Sequence, residues 1–153
     1  MIKYIGEDKS GRPLILMELC GLDMSKFEDD TAYKDYFVAM FELEFAKHFK
    51  GKVDSFTLIM DPRHPDVSKF KMNLLLQSIA NNLKHCPERM SKITVLNANW
   101  VVWYFYKFVK PFLTKRTEQK ITIHGEEPNK ILEDLKTDIP INVIPKKFGG
   151  KGK

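Results

Sequence analysis

The residues most able to do chemistry are two cysteines, four histidines and a short acidic loop. His85-Cys86-Pro87-Glu88-Arg89 has the outline of a phosphate-binding cysteine loop. That chemistry needs a thiolate, a cradle of backbone N–H groups and a guanidinium on the oxyanion. Here Lys92 stands where the arginine would fall, glycine is lacking, and Pro87 follows the cysteine at once. Cys20 and Cys86 form no CxxC pair, so neither a zinc site nor a disulfide framework is expected. His48, His64, His85 and His124 show no i,i+4 pairing for a metal. His64 lies among Asp61, Arg63 and Asp66, a set that could move protons. Asp-rich, Pro-flanked loops more commonly cap the following helix, and capping is the reading adopted. No GxSxG, Walker or GxGxxG motif occurs. The sequence therefore predicts no catalytic residue, no metal, no cofactor and no enzymatic activity.

The elements around these residues alternate. Asp8-Lys9-Ser10-Gly11-Arg12-Pro13 is a turn leading into an apolar strand, Leu14 to Leu19. A polar loop over 21–30 precedes a helix from Thr31 to Lys50, capped by Asp29 or Asp30 and ended by Gly51. Tyr33, Phe37, Met40, Phe41, Phe45 and Phe49 form its apolar stripe. Strands follow at Val53 to Met60 and Lys92 to Asn97, with a helix from about Val67 to His85 between them. Trp100 to Phe112 reads as a helix without charge over residues 100–106. A charged helical turn, Thr114 to Lys120, a short strand, Ile121 to Ile123, and a helix near Asn129 to Leu135 complete the pattern. The fold class is α/β, with a mostly parallel sheet covered by helices.

Composition sets the broad class. The 153 residues are 43% hydrophobic and 29% charged, a balance that suits one globular domain. The expected organisation is a single domain over 1–148 with a flexible basic tail over 149–153. The net charge of +5 suits an anionic membrane surface. No nucleic-acid module signature accompanies it, so no nucleic-acid partner is expected. The charged N-terminus does not read as a secretory signal. The longest apolar run, Trp100 to Tyr106, falls short of the ~20 residues that span a bilayer. The expectation is a cytoplasmic protein that visits membranes transiently.

Three stretches, in order and suitably spaced, resemble the CRAL-TRIO lipid-binding family, which includes fungal phosphatidylinositol-transfer proteins. The first is Asp8-Lys-Ser-Gly-Arg-Pro13 entering a strand. The second is Cys86-Pro-Glu-Arg-Met90, Lys92-Ile-Thr-Val-Leu-Asn97, Trp100, Lys110-Pro-Phe-Leu113 and Thr117-Glu-Gln-Lys-Ile121. The third is Ile144-Pro-Lys-Lys-Phe-Gly-Gly150.

The resemblance implies a sheet floor and helical walls around a cavity for one phospholipid, gated by a mobile apolar helix. It implies headgroup contacts from Glu88, Thr117 and Lys120. It places Tyr4, Phe56 and Leu58 in the cavity, with Trp100, Trp103, Tyr104, Phe108 and Phe112 on the lid. Tyr4 matches one tyrosine of the family's choline-lipid site. Ile15 replaces a second, and Phe56 and Leu58 stand where hydroxyl residues would hold that lipid's phosphate. Phosphatidylinositol or another phosphoinositide is the expected ligand, bound and transferred or presented between membranes. The family's usual N-terminal helical lobe has no counterpart in this sequence, so a protein partner or a homodimer is expected to replace it. The alternative is a protein- or membrane-interaction module that does not transfer lipid.

Overall fold

The computed structural model describes residues 2–18, 35–36, 39–40, 43–44, 46–48, 55–63 and 89–153, with the backbone alone for Phe112. Its centre is a five-stranded sheet in the order β1-β2-β3-β4-β5. These strands are Ile2–Glu7, Pro13–Glu18, Phe56–Asp61, Met90–Val95 and Ile121–Ile123. β1 runs antiparallel to β2, while β2, β3, β4 and β5 are parallel. The mostly parallel α/β sheet is therefore as expected from sequence. Strands covered on both faces read as near-continuous apolar runs, and β2, with five of its six residues buried, is the clearest case.

β1 is the strand the sequence did not reveal. Only Ile2 and Ile5 are aliphatic within it, and it lies at the sheet edge, where Lys3 and Glu7 stay exposed. The Asp8 turn then reverses the chain. Asp8 Oδ1 accepts from the N–H groups of Ser10 and Arg12, both at 2.9 Å. Asp8 Oδ2 accepts from the Thr57 hydroxyl at 2.9 Å, which ties the turn to β3.

Side chains alternate across a strand, so one sheet yields two apolar layers. Ile15, Met17, Phe56, Leu58, Ile93 and Val95 lie in one layer. Leu14, Leu16 and Ile59 lie in the other, with Leu96. The second layer is closed by Ile131 and Leu135 of a helix, Pro128–Asp138, and by Ile139, Ile144 and Phe148. This helix is one turn longer than its apolar pattern suggested, because Lys136, Thr137 and Asp138 carry no apolar signal.

Three α-helices flank the sheet in the second half of the chain. Trp100–Val109 is α1, and it passes into a 3-10 turn at Lys110–Phe112. Lys115–Glu118 is α2, and Pro128–Asp138 is α3. The described residues among 35–48 are helical, in line with the expected helix there. The helix expected over 67–85 and the caps at Asp29, Asp30 and Gly51 lie outside the described residues.

The chain end expected as a tail is tied to the second layer. Lys151 N–H donates to the Ile141 carbonyl and Gly152 N–H to the Ile144 carbonyl, both at 2.8 Å. Gly149 has φ of 84°, and a Cβ on Gly150 would stand 2.0 Å from the Ile144 carbonyl oxygen. The Gly-Gly pair thus serves a left-handed turn and a close backbone approach that side chains would block.

Candidate functional site

The first apolar layer gathers most of the residues expected to line a cavity. Phe56 and Leu58 are buried in it, and Tyr4 packs against it. Val102 and Phe105 of α1 pack on the same layer, with Met40, Ile121 and Ile123. Ile15 is fully buried there. The hydroxyls of Thr57 and Thr94 sit at the alternate strand positions and so point to the other face. Among the hydrophobic residues gathered in this layer, Tyr4 carries a hydroxyl.

Tyr4 is held by the helical segment next to it. Its ring stacks on the His48 imidazole with centroids 3.8 Å apart and planes 10° off parallel. Its N–H donates to Glu44 Oε2 at 3.1 Å, which satisfies a donor on edge strand β1. Burial, with Glu7 adding repulsion, pushes the Tyr4 phenol above its ordinary range.

α1 starts where its sequence says it should. Asn99 accepts from the N–H groups of Val101 and Val102 at 3.1 and 3.2 Å, a side-chain N-cap. At helical spacing, Val102, Phe105 and Val109 fall on the inner side, and Val109 is the buried member. Trp100, Trp103, Tyr104 and Phe108 fall on the outer side with Lys107. Trp100 is 78% exposed and Trp103 43%, and Tyr104 and Phe108 are exposed too. A buried core helix would hide these rings, so α1 is an apolar helix lying at the surface with aromatic groups on its outer face. The side chain of Phe112 lies outside the described residues, and its backbone belongs to the 3-10 turn.

The residues expected to meet a headgroup converge in part. The Thr114 hydroxyl caps α2, accepting from Thr117 N–H at 3.1 Å, and lies 2.9 Å from the Thr117 hydroxyl. Thr117 is buried. Lys120 follows one turn later, and its carbonyl accepts from Ile93 N–H at 2.8 Å. Thr117 and Lys120 therefore sit together where β5 begins. Glu88 lies outside the described residues, as do His64, Asp66, His85 and Cys86. Its neighbour Arg89 accepts from Phe56 N–H at 2.7 Å, at the start of the parallel strand β4.

Two polar clusters escaped the sequence reading. Asp61, expected to cap a helix, forms a two-pronged pair with Arg63, Nε to Oδ1 at 3.0 Å and Nη2 to Oδ2 at 2.8 Å. Burial opposes its ionisation most strongly, yet Arg63 and Lys147 outweigh burial and hold the carboxyl below its ordinary range. A carboxylate so paired is a poor proton acceptor. Lys147 also bonds Glu18 and lies over the Phe148 ring at 4.8 Å. In the second cluster, Lys92 reaches Asp138 at 2.8 Å and Asp134 at 3.3 Å, and His124 Nε2 lies 3.1 Å from Asp134. Burial lowers the Lys92 pKa most, but these carboxylates overcome it and raise the value above the ordinary one. Asp61-x-Arg63 was a visible signal for the first cluster; the partners of Lys92 are 42 and 46 residues away and gave none. Among the described residues, no three His, Cys, Asp or Glu side chains could hold a metal.

No helix among the described residues is long and apolar enough to cross a membrane. The chain matches the CRAL/TRIO domain over residues 1–150. It is 30% identical over 161 residues to the phosphatidylinositol/phosphatidylcholine transfer protein SFH4 of Arabidopsis thaliana, covering 96% of this chain and 26% of that protein. It is 26% identical over 159 residues to the Sec14 cytosolic factor of Schizosaccharomyces pombe, covering 96% and 54%. The crystal structure of Sfh5 superposes with a TM-score of 0.57 at 14% identity over 72% of this chain and 42% of that one, a likeness of fold. The chain thus spans from about a quarter to about half of the curated relatives named here. With the sheet, the outer helix and the matched residues agreeing, the chain belongs to the CRAL/TRIO domain family.

Proposed function

We propose that this domain binds one phospholipid of the phosphatidylinositol type and carries or presents it at anionic membranes. The acyl chains lie on the apolar layer formed by Ile15, Met17, Phe56, Leu58, Ile93 and Val95, beneath Val102 and Phe105 of α1. The phosphate meets Lys120 and Thr117, with Glu88 as the expected third contact. An ammonium and a hydroxyl suit a phosphodiester, and a carboxylate suits inositol hydroxyls.

The observation that carries this reading is the two-sidedness of α1. Its inner side packs on an apolar sheet, and its outer side shows Trp100, Trp103, Tyr104 and Phe108 beside Lys107. Aromatic rings with polar tips favour the membrane interface, and each nearby lysine adds about 1 kcal/mol at an anionic leaflet. The names of the matched transfer proteins support the same ligand class. Mass spectrometry of organic extracts of the purified protein tests it. One inositol phospholipid per chain is the expected result. Lipid-free protein that also fails to take up labelled phosphatidylinositol from vesicles would leave the interaction-module alternative.

A further inference from the structure

The described residues among 35–48 show two sides. Met40, Glu44 and His48, four residues apart, form the inner one. Met40 packs on the first apolar layer, Glu44 Oε2 accepts from Tyr4 N–H at 3.1 Å, and the His48 ring stacks on Tyr4. These contacts fix how the helical segment is turned. The opposite side carries Tyr36, Ala39, Leu43 and Ala46, all exposed, with Tyr36 at 43% and Leu43 at 51%. A single exposed leucine is ordinary. Four apolar residues spaced by three, four and three draw a narrow seam, the pattern of a helix that packs on another helix.

The order of residues along the seam points to its occupant. Large and small alternate, from Tyr36 to Ala39 to Leu43 to Ala46, with exposed Asp35 before them and exposed Lys47 after. Laid antiparallel on a second copy of itself, the seam sets each large residue against a small one. Tyr36 meets Ala46 of the second copy, and Ala39 meets Leu43. The same register brings Asp35 level with Lys47, so opposite charges stand at both ends. A two-fold axis makes each of these pairings occur twice. A parallel pair would instead set Asp35 beside Asp35 and Lys47 beside Lys47, which repel. Lys47 reaches Glu44 of its own helix at 3.3 Å, but its side chain is 52% exposed, and such a pair yields at little cost.

We propose that the domain forms a two-fold dimer through this seam, with the two helical segments antiparallel. Size and charge complementarity fix both the occupant, a second copy of this chain, and its register. A single helix pair is a small interface, so a dissociation constant in the micromolar range is expected. No residue of α1 takes part, and the dimer does not depend on the lipid-carrier reading.

Sedimentation of the full chain over a concentration series reads the dimer. Leu43→Asp should raise its dissociation constant about a hundredfold or more, because each dimer loses two buried leucines. Circular dichroism of this variant should match the wild type, since Leu43 is exposed in the single chain. Asp35→Lys alone should weaken the dimer several-fold, and adding Lys47→Glu should restore it. A carbodiimide, which joins a carboxylate to an amine without a spacer, checks the register in the unaltered protein. Along one helix Asp35 and Lys47 stand about 18 Å apart, so an Asp35–Lys47 product found by mass spectrometry reports contact between copies. That product is expected in the cross-linked dimer, and it decides the matter should Leu43→Asp fail to fold. A chain that stays monomeric up to about 1 mM overturns the proposal. So does a dimer that Leu43→Asp leaves intact, or one whose cross-links all fall elsewhere.

Discussion

The Thr57 hydroxyl donates to Asp8 Oδ2 at 2.9 Å across 49 residues of sequence, and both side chains are buried. The Asp8 turn, one of the stretches that carries the family resemblance, is thus an internal joint between the β1–β2 hairpin and β3. Asp8→Ala would leave two backbone donors and one hydroxyl short of their acceptor. The buried Thr57 hydroxyl left unsatisfied costs about 1–3 kcal/mol, and the backbone donors of exposed Ser10 and half-buried Arg12 add less, so a loss of about 2 kcal/mol is expected in urea unfolding. Lipid binding by the fraction still folded should be unchanged.

Lys120→Ala tests the proposed headgroup contact. One charged hydrogen bond to phosphate is worth about 1.5–3 kcal/mol, a drop in phosphatidylinositol affinity of tenfold or more. The side chain is half-exposed, so the melting temperature should move by less than about 2 °C. Equal affinity in titrations with labelled lipid would take Lys120 out of the site.

Choline-lipid transfer should be weak. Ile15, Phe56 and Leu58 are buried and apolar, and a phosphate placed among them lacks partners. In a vesicle-to-vesicle assay, phosphatidylinositol should move and phosphatidylcholine should lag by about tenfold or more, the effect of about 1.4 kcal/mol of unmet polar burial. Transfer of both lipids at one rate would refute this.

Membrane docking should be visible in intrinsic fluorescence. Trp100 and Trp103 are exposed, so their emission in buffer starts red and should move to the blue on anionic vesicles. Salt should weaken the shift, because screening tightens to roughly 3 Å at 1 M. Lys107→Glu should weaken it too. Lys107 is a better probe than Lys110, whose ammonium is paired with Glu118 and titrates above its ordinary value for that reason.

The Asp61 clamp should fail only in strong acid. Its folded-state pKa is depressed, so its contribution is present above the unfolded value and is lost as pH falls through the folded one. Asn97 Nδ2, in the turn before α1, donates to Asp61 Oδ1 at 3.4 Å, so amide hydrogen exchange at residues 101–103, corrected for intrinsic chemistry, should stay level from about pH 7 to 5. It should rise below about pH 4, the ordinary Asp range. A rise near pH 6 would point away from Asp61.

How much of this was legible in the sequence follows from the range over which each signal acts. β2 announced itself through contiguous apolar residues, β4 and β5 through the β-branched runs Ile93-Thr94-Val95 and Ile121-Thr122-Ile123, and α1 through its uncharged run over 100–106. β1 did not, because Lys3, Gly6 and Glu7 dilute the two isoleucines of an edge strand. The outward turn of Trp100 and Trp103 follows from helical spacing once the inner side, Val102 and Phe105, is known; sequence alone left both faces equally apolar. Asp61 lay in plain view, but its partner Asn97 is 36 residues on, and no local rule pairs them. Thr117 and Lys120 were reached through family resemblance. The helical turn that carries them and the strand that follows were read from the sequence; the fold adds the Thr114–Thr117 hydroxyl pair and the bond from Ile93 N–H to the Lys120 carbonyl.

The two-sided character of α1 has a kinetic consequence. In water, lifting the helix would hydrate Val102 and Phe105 and the sheet beneath them, at about 25 cal/mol for each Å² bared. Against a bilayer, that surface meets acyl chains instead, and most of the barrier disappears. If α1 is the lid of the proposed lipid site, it needs no separate trigger, because the solvent it touches decides whether it opens. Cargo would stay locked in during diffusion and become exchangeable only on arrival.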